Sequence, residues 1–297
     1  MGKIARTRHI LYLCLDILLR DKSLMLFPMV SGVVGLLIFM SFLPFWDQSF
    51  WKPLAAGKFD TLSGAPSVRE IVEYLKMFLF YFCGYFTTTF FNVGLLCCVL
   101  RHKRGEEAGF VTGLEDALAH VRQIAGWALI AAFVGVILRI VQSRSRSLAV
   151  RLGVGIVGVA FSLLSFLVVP VMVVQNKGPL DALKESGALF KKTWGERLIS
   201  GLAFGIFGLI LMFPAFVLIA CTVVAETMGM RIALLAAAGL YMYVFILFQS
   251  ALETIFRLEL YHYAATGKIS DDFDADLFKG AFEKDTTGAH QLRRRGS

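Results

Sequence analysis

The sequence predicts an all-α integral membrane protein with six transmembrane helices, arranged as three repeats of an amphipathic interfacial helix and a two-span hairpin. Three observations support this prediction: the composition, the lengths of the apolar runs and a recurring polar segment. The chain has 297 residues, of which 57% are hydrophobic and 18% are charged, and its mean hydropathy is +0.68. A water-soluble globule of this length is much more polar.

Six apolar runs are long enough to cross a membrane. A helix of about 20 residues spans roughly 30 Å of hydrocarbon, and each run has about that length. The predicted spans are residues 24–46, 76–100, 123–141, 152–174, 198–225 and 232–256. They define a membrane domain over residues 1–268. Residues 269–297 are predicted to form a cytoplasmic C-terminal tail that contains a short amphipathic helix.

The distribution of Lys and Arg predicts the orientation. The N-terminus, the second and fourth connections and the tail hold 5, 4, 5 and 7 of these residues, whereas the first, third and fifth connections, with the charges at their borders, hold about 3, 4 and 1. Because cytoplasmic loops are enriched in Lys and Arg, both termini are predicted to be cytoplasmic. The third connection, residues 142–151, is the exception, since its arginines would face outward.

A polar segment recurs before the odd-numbered spans. GLEDAL, residues 113–118, precedes the third span and GPLDAL, residues 178–183, precedes the fifth, and each segment continues to an adjacent Trp and Gly. A looser copy occupies residues 8–28 before the first span. Because a recurring sequence unit folds as a recurring structural unit, the chain is predicted to contain three units of one helix followed by one hairpin.

The second copy has the clearest helical pattern. Leu183, Gly187, Phe190 and Trp194 fall on one helical stripe, and charged residues occupy the other side. This pattern predicts a helix in the cytoplasmic interface that contacts anionic lipids. The alternative is a short soluble helix packed on the bundle. The predicted lipid-interface residues are Lys184, Lys191, Lys192, Trp194 and Arg197.

Small residues four apart occur in the odd-numbered spans. The pairs are Ser31 and Gly35, Ala131 and Gly135, and Gly201 and Gly205. This spacing allows helix backbones to approach closely, although Gly is also common in membrane helices generally. We expect the odd-numbered spans to form the packed interior of the bundle, and the bulkier even-numbered spans to form more of its lipid-facing surface.

Polar side chains inside the spans are the main candidates for a functional site, because ionisable groups are costly in hydrocarbon. Gln249, Glu253 and Arg257 form one stripe on the sixth span, where Glu253 can pair with Arg257. The stripe is either a structural pair or the lining of an ion or proton path. The candidate intramembrane polar residues are Asn92, Arg139, Gln249, Glu253 and Arg257.

Two motifs suggest ligands that their surroundings do not support. GVGIVG, residues 153–158, matches a dinucleotide-binding fingerprint, but it lies inside an apolar run instead of between a strand and a helix. In the tail, residues 272–283 match several ligand positions of a calcium loop, but Leu277 stands where such a loop needs glycine. We therefore predict no cofactor for this chain.

Enzymatic and nucleic-acid functions also lack sequence support. The five cysteines and five histidines have no metal-ligand spacing, so no metal site is predicted. The chain contains no recognisable hydrolase or nucleotide-binding motif, and we predict no catalytic residue. The net charge of +8 comes from residues at span ends. Since these residues do not form one basic face, no nucleic-acid partner is predicted.

Four stretches of the chain resemble a known family. They are FFNVGLL, GWALIAAFVGVILRI, FLVVPVMVVQNKGPLDALKESGALFKKTWGE and DFDADLFKGAFEK. They resemble an uncharacterised six-span prokaryotic membrane family, a domain of unknown function, and are more distantly similar to the membrane domain of some glycerophosphodiester phosphodiesterases. The resemblance covers most of the chain and implies a multi-pass protein of the bacterial inner membrane. It includes no assigned catalytic residue and so implies no activity.

These observations favour a non-catalytic inner-membrane scaffold. Such a protein would associate with itself as a homo-oligomer, with anionic membrane lipids or with a membrane protein partner. The first alternative is an oligomeric channel or transporter whose polar path follows Gln249, Glu253 and Arg257. The second alternative is a lipid-modifying enzyme, which the missing catalytic motifs disfavour.

Overall fold

The computed structural model describes Leu18 and residues 21–43, 68–144 and 147–266, except for the side chains of residues 69–70, 143–144 and 192–210. Every regular element within these ranges is helical, which confirms the all-α class. A 3-10 turn, Lys22–Met25, leads into the first helix. The helices are α1 (Leu26–Phe42), α2 (Val68–Lys103), α3 (Phe110–Ala119), α4 (Val121–Arg144), α5 (Leu148–Leu164), α6 (Val168–Gln175), α7 (Pro179–Val224) and α8 (Met228–Thr266).

Five stretches of the described helices are long and apolar enough to cross a membrane. They are Lys22–Phe42, Ile71–Lys103, Val121–Gln142, Leu148–Gln175 and Met228–Thr266. The predicted fifth span, residues 198–225, lies within α7. The side chains that the structure describes in this span form a shorter apolar stretch, Leu211–Val224. The side chains of residues 198–210 lie outside the described part of the chain. Membrane-helix character is therefore confirmed, whereas the count of six spans stays a prediction.

The core is centred on the second half of α2. Val93, Leu95, Leu96 and Val99 are at most 1% exposed. They belong to one buried cluster with side chains of α1, α4, α6 and α8. In the most apolar stretch of α2, 50% of the residues are buried, whereas the corresponding shares are 17% in the first span and 33% in the third. The expectation that even-numbered spans face the lipid is therefore wrong for the second span, because large side chains fill interior space at close-packed density. The sixth span, with 11% of its apolar stretch buried, is as exposed as expected, and the fourth equals the third at 33%.

The small-residue pairs have different surroundings. Ala131 is buried, and Gly135 lies against the ring of Tyr81. Ser31 is half-buried, while a Cβ atom at Gly35 would have no neighbour within 4 Å. Gly201 and Gly205 lie in α7, outside the described side chains. A helix-packing role for the pairs stays a prediction.

The predicted fourth span is not one helix. α5 ends at Leu164 and α6 begins at Val168. Pro170, in the first turn of α6, has no N–H to bond the carbonyl of Phe166 and its ring crowds that carbonyl. The break between α5 and α6 follows from this missing bond, and it exposes backbone polar groups that need other partners.

The two polar segments before the third and fifth spans are built differently. GLEDAL forms most of the short helix α3, which ends before α4 begins at Val121. GPLDAL begins α7, which continues without interruption into the predicted fifth span. Ala182, Ser186 and Leu189 form its buried stripe, one position away from the predicted stripe. A separate interfacial helix is therefore not seen here, because no residue interrupts the helical hydrogen bonds and the stripe packs on the bundle.

Candidate functional site: a polar pocket between the helices

A pocket of about 510 Å³ lies between α2, α4, α5, α6 and α8. We call it the inner pocket. Its polar lining residues are Tyr85, Thr88, Thr89, Asn92, Ser162, Ser165, Ser250, Glu253, Thr254 and Arg257. Trp127, Ala131, Val134 and Leu138 of α4 contribute an apolar wall. The inner pocket therefore combines many hydrogen-bonding groups with one apolar side, as small-molecule sites commonly do.

Helix geometry explains how α2 and α8 supply most of the polar lining. On α8, Ser250, Glu253, Thr254 and Arg257 are spaced so that they lie on one face. On α2, the stretch from Tyr85 to Asn92 repeats the same spacing of three, four and seven residues. The two faces meet where the Thr254 hydroxyl lies 3.3 Å from Asn92 Oδ1 and 3.0 Å from the carbonyl oxygen of Ser250.

An ion pair supplies the two charges of the inner pocket. Arg257 Nη2 donates to Glu253 Oε1 at 2.6 Å, one helical turn away. The guanidinium also lies over the ring of Phe166, with its Cζ atom 4.7 Å from the ring centroid. Arg257 Nε is buried and has no hydrogen-bond partner among the described residues. The charges of Glu253 and Arg257 therefore balance each other, and the Nε–H group of Arg257 remains available as a hydrogen-bond donor.

The helix break between α5 and α6 forms part of the same wall. Ser162 and Ser165 of the α5 end, and Val169 of the α6 start, all line the inner pocket. Ser186 of α7 stabilises the break, because its hydroxyl donates to the carbonyl of Leu164 and accepts the N–H of Leu167. Irregular backbone at membrane depth is tolerated where it is buried in protein or lines a cavity.

The structure brings together three of the five candidate intramembrane polar residues. Asn92, Glu253 and Arg257 line the inner pocket. Gln249 does not line it, and its buried Oε1 has no hydrogen-bond partner within the described part of the chain. Arg139 of α4 is also absent from the lining. Glu253 and Arg257 of the polar stripe on α8 therefore share the inner pocket with polar side chains of other helices, which their spacing alone did not indicate.

Sequence reasoning missed the hydroxyl groups of the inner pocket. Thr88, Ser162 and Ser250 are uncharged, and each is unremarkable on its own in a membrane helix. The available signal was their spacing, because polar residues recur at three, four and seven positions on both α2 and α8. Two such faces in one apolar chain indicate a shared polar space.

The predicted lipid-interface residues lie elsewhere. Lys184 and Lys191 on α7 are exposed, and the Lys184 side chain is 80% exposed. Lys192, Trp194 and Arg197 fall within α7 but outside the described side chains. Within the described ranges, no group of three or more His, Cys, Asp and Glu residues is arranged to hold a metal ion.

In comparison with known protein families, residues 71–271 match a family of unknown function. All residues that line the inner pocket lie inside this match. No curated protein and no solved structure matches the chain, so the more distant similarity to the phosphodiesterase membrane domain gains no support. Because the match covers more than half of the 297 residues, the chain belongs to the family of unknown function DUF6159.

Proposed function

We propose that this protein is a non-enzymatic membrane transport protein that binds a small polar solute in the inner pocket. The observation that carries the proposal is a polar, charge-containing pocket between apolar helices. Its volume of about 510 Å³ is within the usual range for small-molecule sites. The proposal takes up the channel or transporter alternative, since several helices contribute to the lining.

The depth of the inner pocket supports this function. Asn92 lies 11 residues before the end of α2 at Lys103, which corresponds to about 16 Å along a helix. In a hydrocarbon layer of roughly 30 Å, this distance puts Asn92 near the middle. Transporters commonly bind their substrates at this depth, beside discontinuous helices, and the break between α5 and α6 borders the inner pocket.

The lining indicates the class of solute. Glu253 and Arg257 compensate each other's charge, and the other polar residues offer hydroxyl, phenol and amide groups. A solute with a net charge would leave one partner of the pair uncompensated at low dielectric constant. We therefore propose a neutral polyhydroxyl solute or a zwitterion, whose two charges could bind Arg257 and Glu253.

Thiol accessibility tests whether the inner pocket contains water rather than lipid. In a variant without the native cysteines, Ser162→Cys should react with a membrane-impermeant methanethiosulfonate reagent in proteoliposomes, because thiolates form in water. Ile156→Cys is the matched control, since Ile156 is six residues earlier on α5 and 70% exposed on its outer surface. We expect at least about tenfold faster labelling at position 162.

Solute uptake tests transport itself. Proteoliposomes mixed with iso-osmotic glycerol or glycine should swell faster than protein-free liposomes, as light scattering reports. Glu253→Gln should change that rate, because it leaves the Arg257 guanidinium without its partner. Equal labelling at positions 156 and 162, or swelling no faster than that of protein-free liposomes in both solutes, would contradict the proposal.

The scaffold role stays a prediction beside this proposal. The exposed Lys184 and Lys191 are compatible with contact to anionic headgroups, and a homo-oligomer or a membrane protein partner would be compatible with transport. The bacterial inner membrane and the cytoplasmic termini also stay predictions. The large exposed apolar side chains of α1, α5 and α8 are compatible with a lipid environment.

A further inference from the structure

A second pocket, also of about 510 Å³, lies at the end of the bundle where α2 ends. We call it the end pocket. The Lys and Arg distribution predicts that this end faces the cytoplasm. Five basic side chains line the end pocket, which are Arg101, Lys103, Arg104, His120 and His262. Two acidic side chains, Glu106 and Asp116, also line it, and Leu100 and Val173 contribute apolar contacts. No residue lines both pockets.

The turn after α2 holds the basic side chains in place. Gly105 has a φ of +74°, in the left-handed region that favours glycine. The N–H of Gly105 donates to the carbonyl of His102 at 3.0 Å, and the N–H of Glu106 donates to the carbonyl of Arg101 at 3.1 Å. These two bonds form a Schellman motif, so the backbone around Lys103 and Arg104 is fixed.

The acidic groups around the end pocket are already engaged. Arg101 forms a bidentate pair with Asp116, with distances of 2.7 and 2.9 Å, and Arg101 Nη1 also lies 3.1 Å from Glu106 Oε2. Lys103 Nζ contacts the buried carboxylate of Glu259. In contrast, Arg104 has no acidic partner within 4.0 Å among the described residues. The formal charges of Arg101, Lys103 and Arg104 are balanced by those of Asp116, Glu106 and Glu259, but the Arg104 guanidinium has no direct ionic contact within the described ranges and its donors are available to a ligand.

One buried nitrogen atom of the end pocket lacks a partner in the described part of the chain, and a second has only an ion-pair partner. The Lys103 side chain is 9% exposed, and its Nζ is in direct contact with Glu259 Oε1. His262 Nε2 is buried and without a hydrogen-bond partner among the described residues. Lys103 and Glu259 both interact electrostatically with His262. Buried polar atoms normally have partners, so His262 Nε2 is free to bind a ligand. The Lys103 ammonium carries three N–H donors, so it can contact a ligand in addition to Glu259.

We propose that the end pocket binds a phosphate group through Arg104, Lys103 and His262. A phosphate supplies several acceptor oxygens for charge-assisted hydrogen bonds, which are strong. Basic pockets between transmembrane helices on the cytoplasmic side bind anionic lipid headgroups. The C-terminal ends of α2 and α8 carry partial negative charge and therefore disfavour the binding of an anion. This repulsion is confined to the last helical turn and is weaker than a direct hydrogen bond from a charged donor.

The phosphate can come from a lipid headgroup or from a free anion, and two measurements on the full-length protein separate these sources. Native mass spectrometry of protein in neutral detergent measures retention of phosphatidic acid relative to phosphatidylcholine. Calorimetry of the same preparation measures binding of inorganic phosphate. Preference for phosphatidic acid without phosphate binding identifies a lipid headgroup as the ligand. Phosphate binding that competes with the lipid identifies the phosphate group itself.

Arg104→Gln should weaken binding about tenfold, the size expected for loss of one charged hydrogen bond, and His262→Gln should weaken it less. Arg122→Gln is the matched control, because Arg122 is also an exposed arginine but does not line the end pocket. Arg104 is exposed, so its variant should keep the melting temperature of the parent. Equal binding by Arg104→Gln and Arg122→Gln would overturn the proposal, as would retention of both lipids to the same extent without phosphate binding.

Discussion

The segments GLEDAL and GPLDAL share four of six residues but are held to the bundle in different ways. Their common feature is the alanine on the buried face, since Ala117 and Ala182 are both 0% exposed. Their aspartates differ. Asp116 forms a bidentate pair with Arg101 of α2, whereas Asp181 reaches only the exposed Lys184 at 3.5 Å. The shared motif therefore specifies which side of the helix is buried, but not what that side contacts.

The first glycines of GLEDAL and GPLDAL also differ in their surroundings. Gly113 packs against Gly94 of α2 and Phe27 of α1, whereas Gly178 precedes α7 and would have no atom within 4 Å of an added Cβ. In the second segment, Ser186 provides the specific polar contact by stabilising the break between α5 and α6. The comparison indicates that a recurring sequence unit has been fitted to two different neighbours.

The largest expected effect is that of Gly113→Ala. The new Cβ would lie 2.5 Å from both Cys98 Sγ and Phe27 Cζ and 2.8 Å from the carbonyl oxygen of Gly94. Since the backbone oxygen cannot rotate away, we expect a loss of about 3 kcal/mol in the free energy of unfolding. Gly178→Ala is the control and should lose at most about 1 kcal/mol. Equal melting temperatures for the two variants would refute the difference in packing.

Ser186→Ala should have the next largest effect. It removes the hydroxyl shared by the carbonyl of Leu164 and the N–H of Leu167, and the N–H then lacks this partner in a buried site. We expect a loss of about 2 kcal/mol, measured as a lower melting temperature in detergent. Ser165→Ala is the control, because its hydroxyl bonds only the carbonyl of Ser162 on the same helix and is exposed. A smaller loss at position 186 than at position 165 would count against this role.

The smallest expected effect is that of Asp116→Asn. Hydrogen bonds from Arg101 hold the pKa of Asp116 below its ordinary value, so this group stabilises the fold when it is ionised. At pH 7 the variant should melt a few degrees lower than the parent. This difference should disappear as the pH falls below about 4, because the unfolded chain takes up the proton first. Asp181→Asn should have no measurable effect at either pH, and a pH-independent difference for Asp116→Asn would argue against the ion pair.

The sequence pattern predicted where the helices lie more successfully than it predicted how they pack against each other. Apolar runs of about 20 residues predicted membrane helices, and five stretches of the described chain are long and apolar enough to span a membrane, since length and hydropathy are local properties. The ion pair of Glu253 and Arg257 was also predictable, because it joins residues four apart on one helix. The break after Leu164 was not predicted, although Pro170 was visible, because proline is tolerated in membrane helices wherever a neighbour such as Ser186 satisfies the freed groups.

The sequence by itself determined that the chain is a helical membrane protein and that its sixth predicted span carries a polar stripe. Only the tertiary structure decided that Asn92 meets Thr254 at 3.3 Å, that Ser186 stabilises a broken helix and that α2 occupies the centre. The physical reason is the distance along the chain. Composition and periodicity report each helix separately, whereas these contacts join residues far apart in sequence and depend on how the side chains of several helices fill one space.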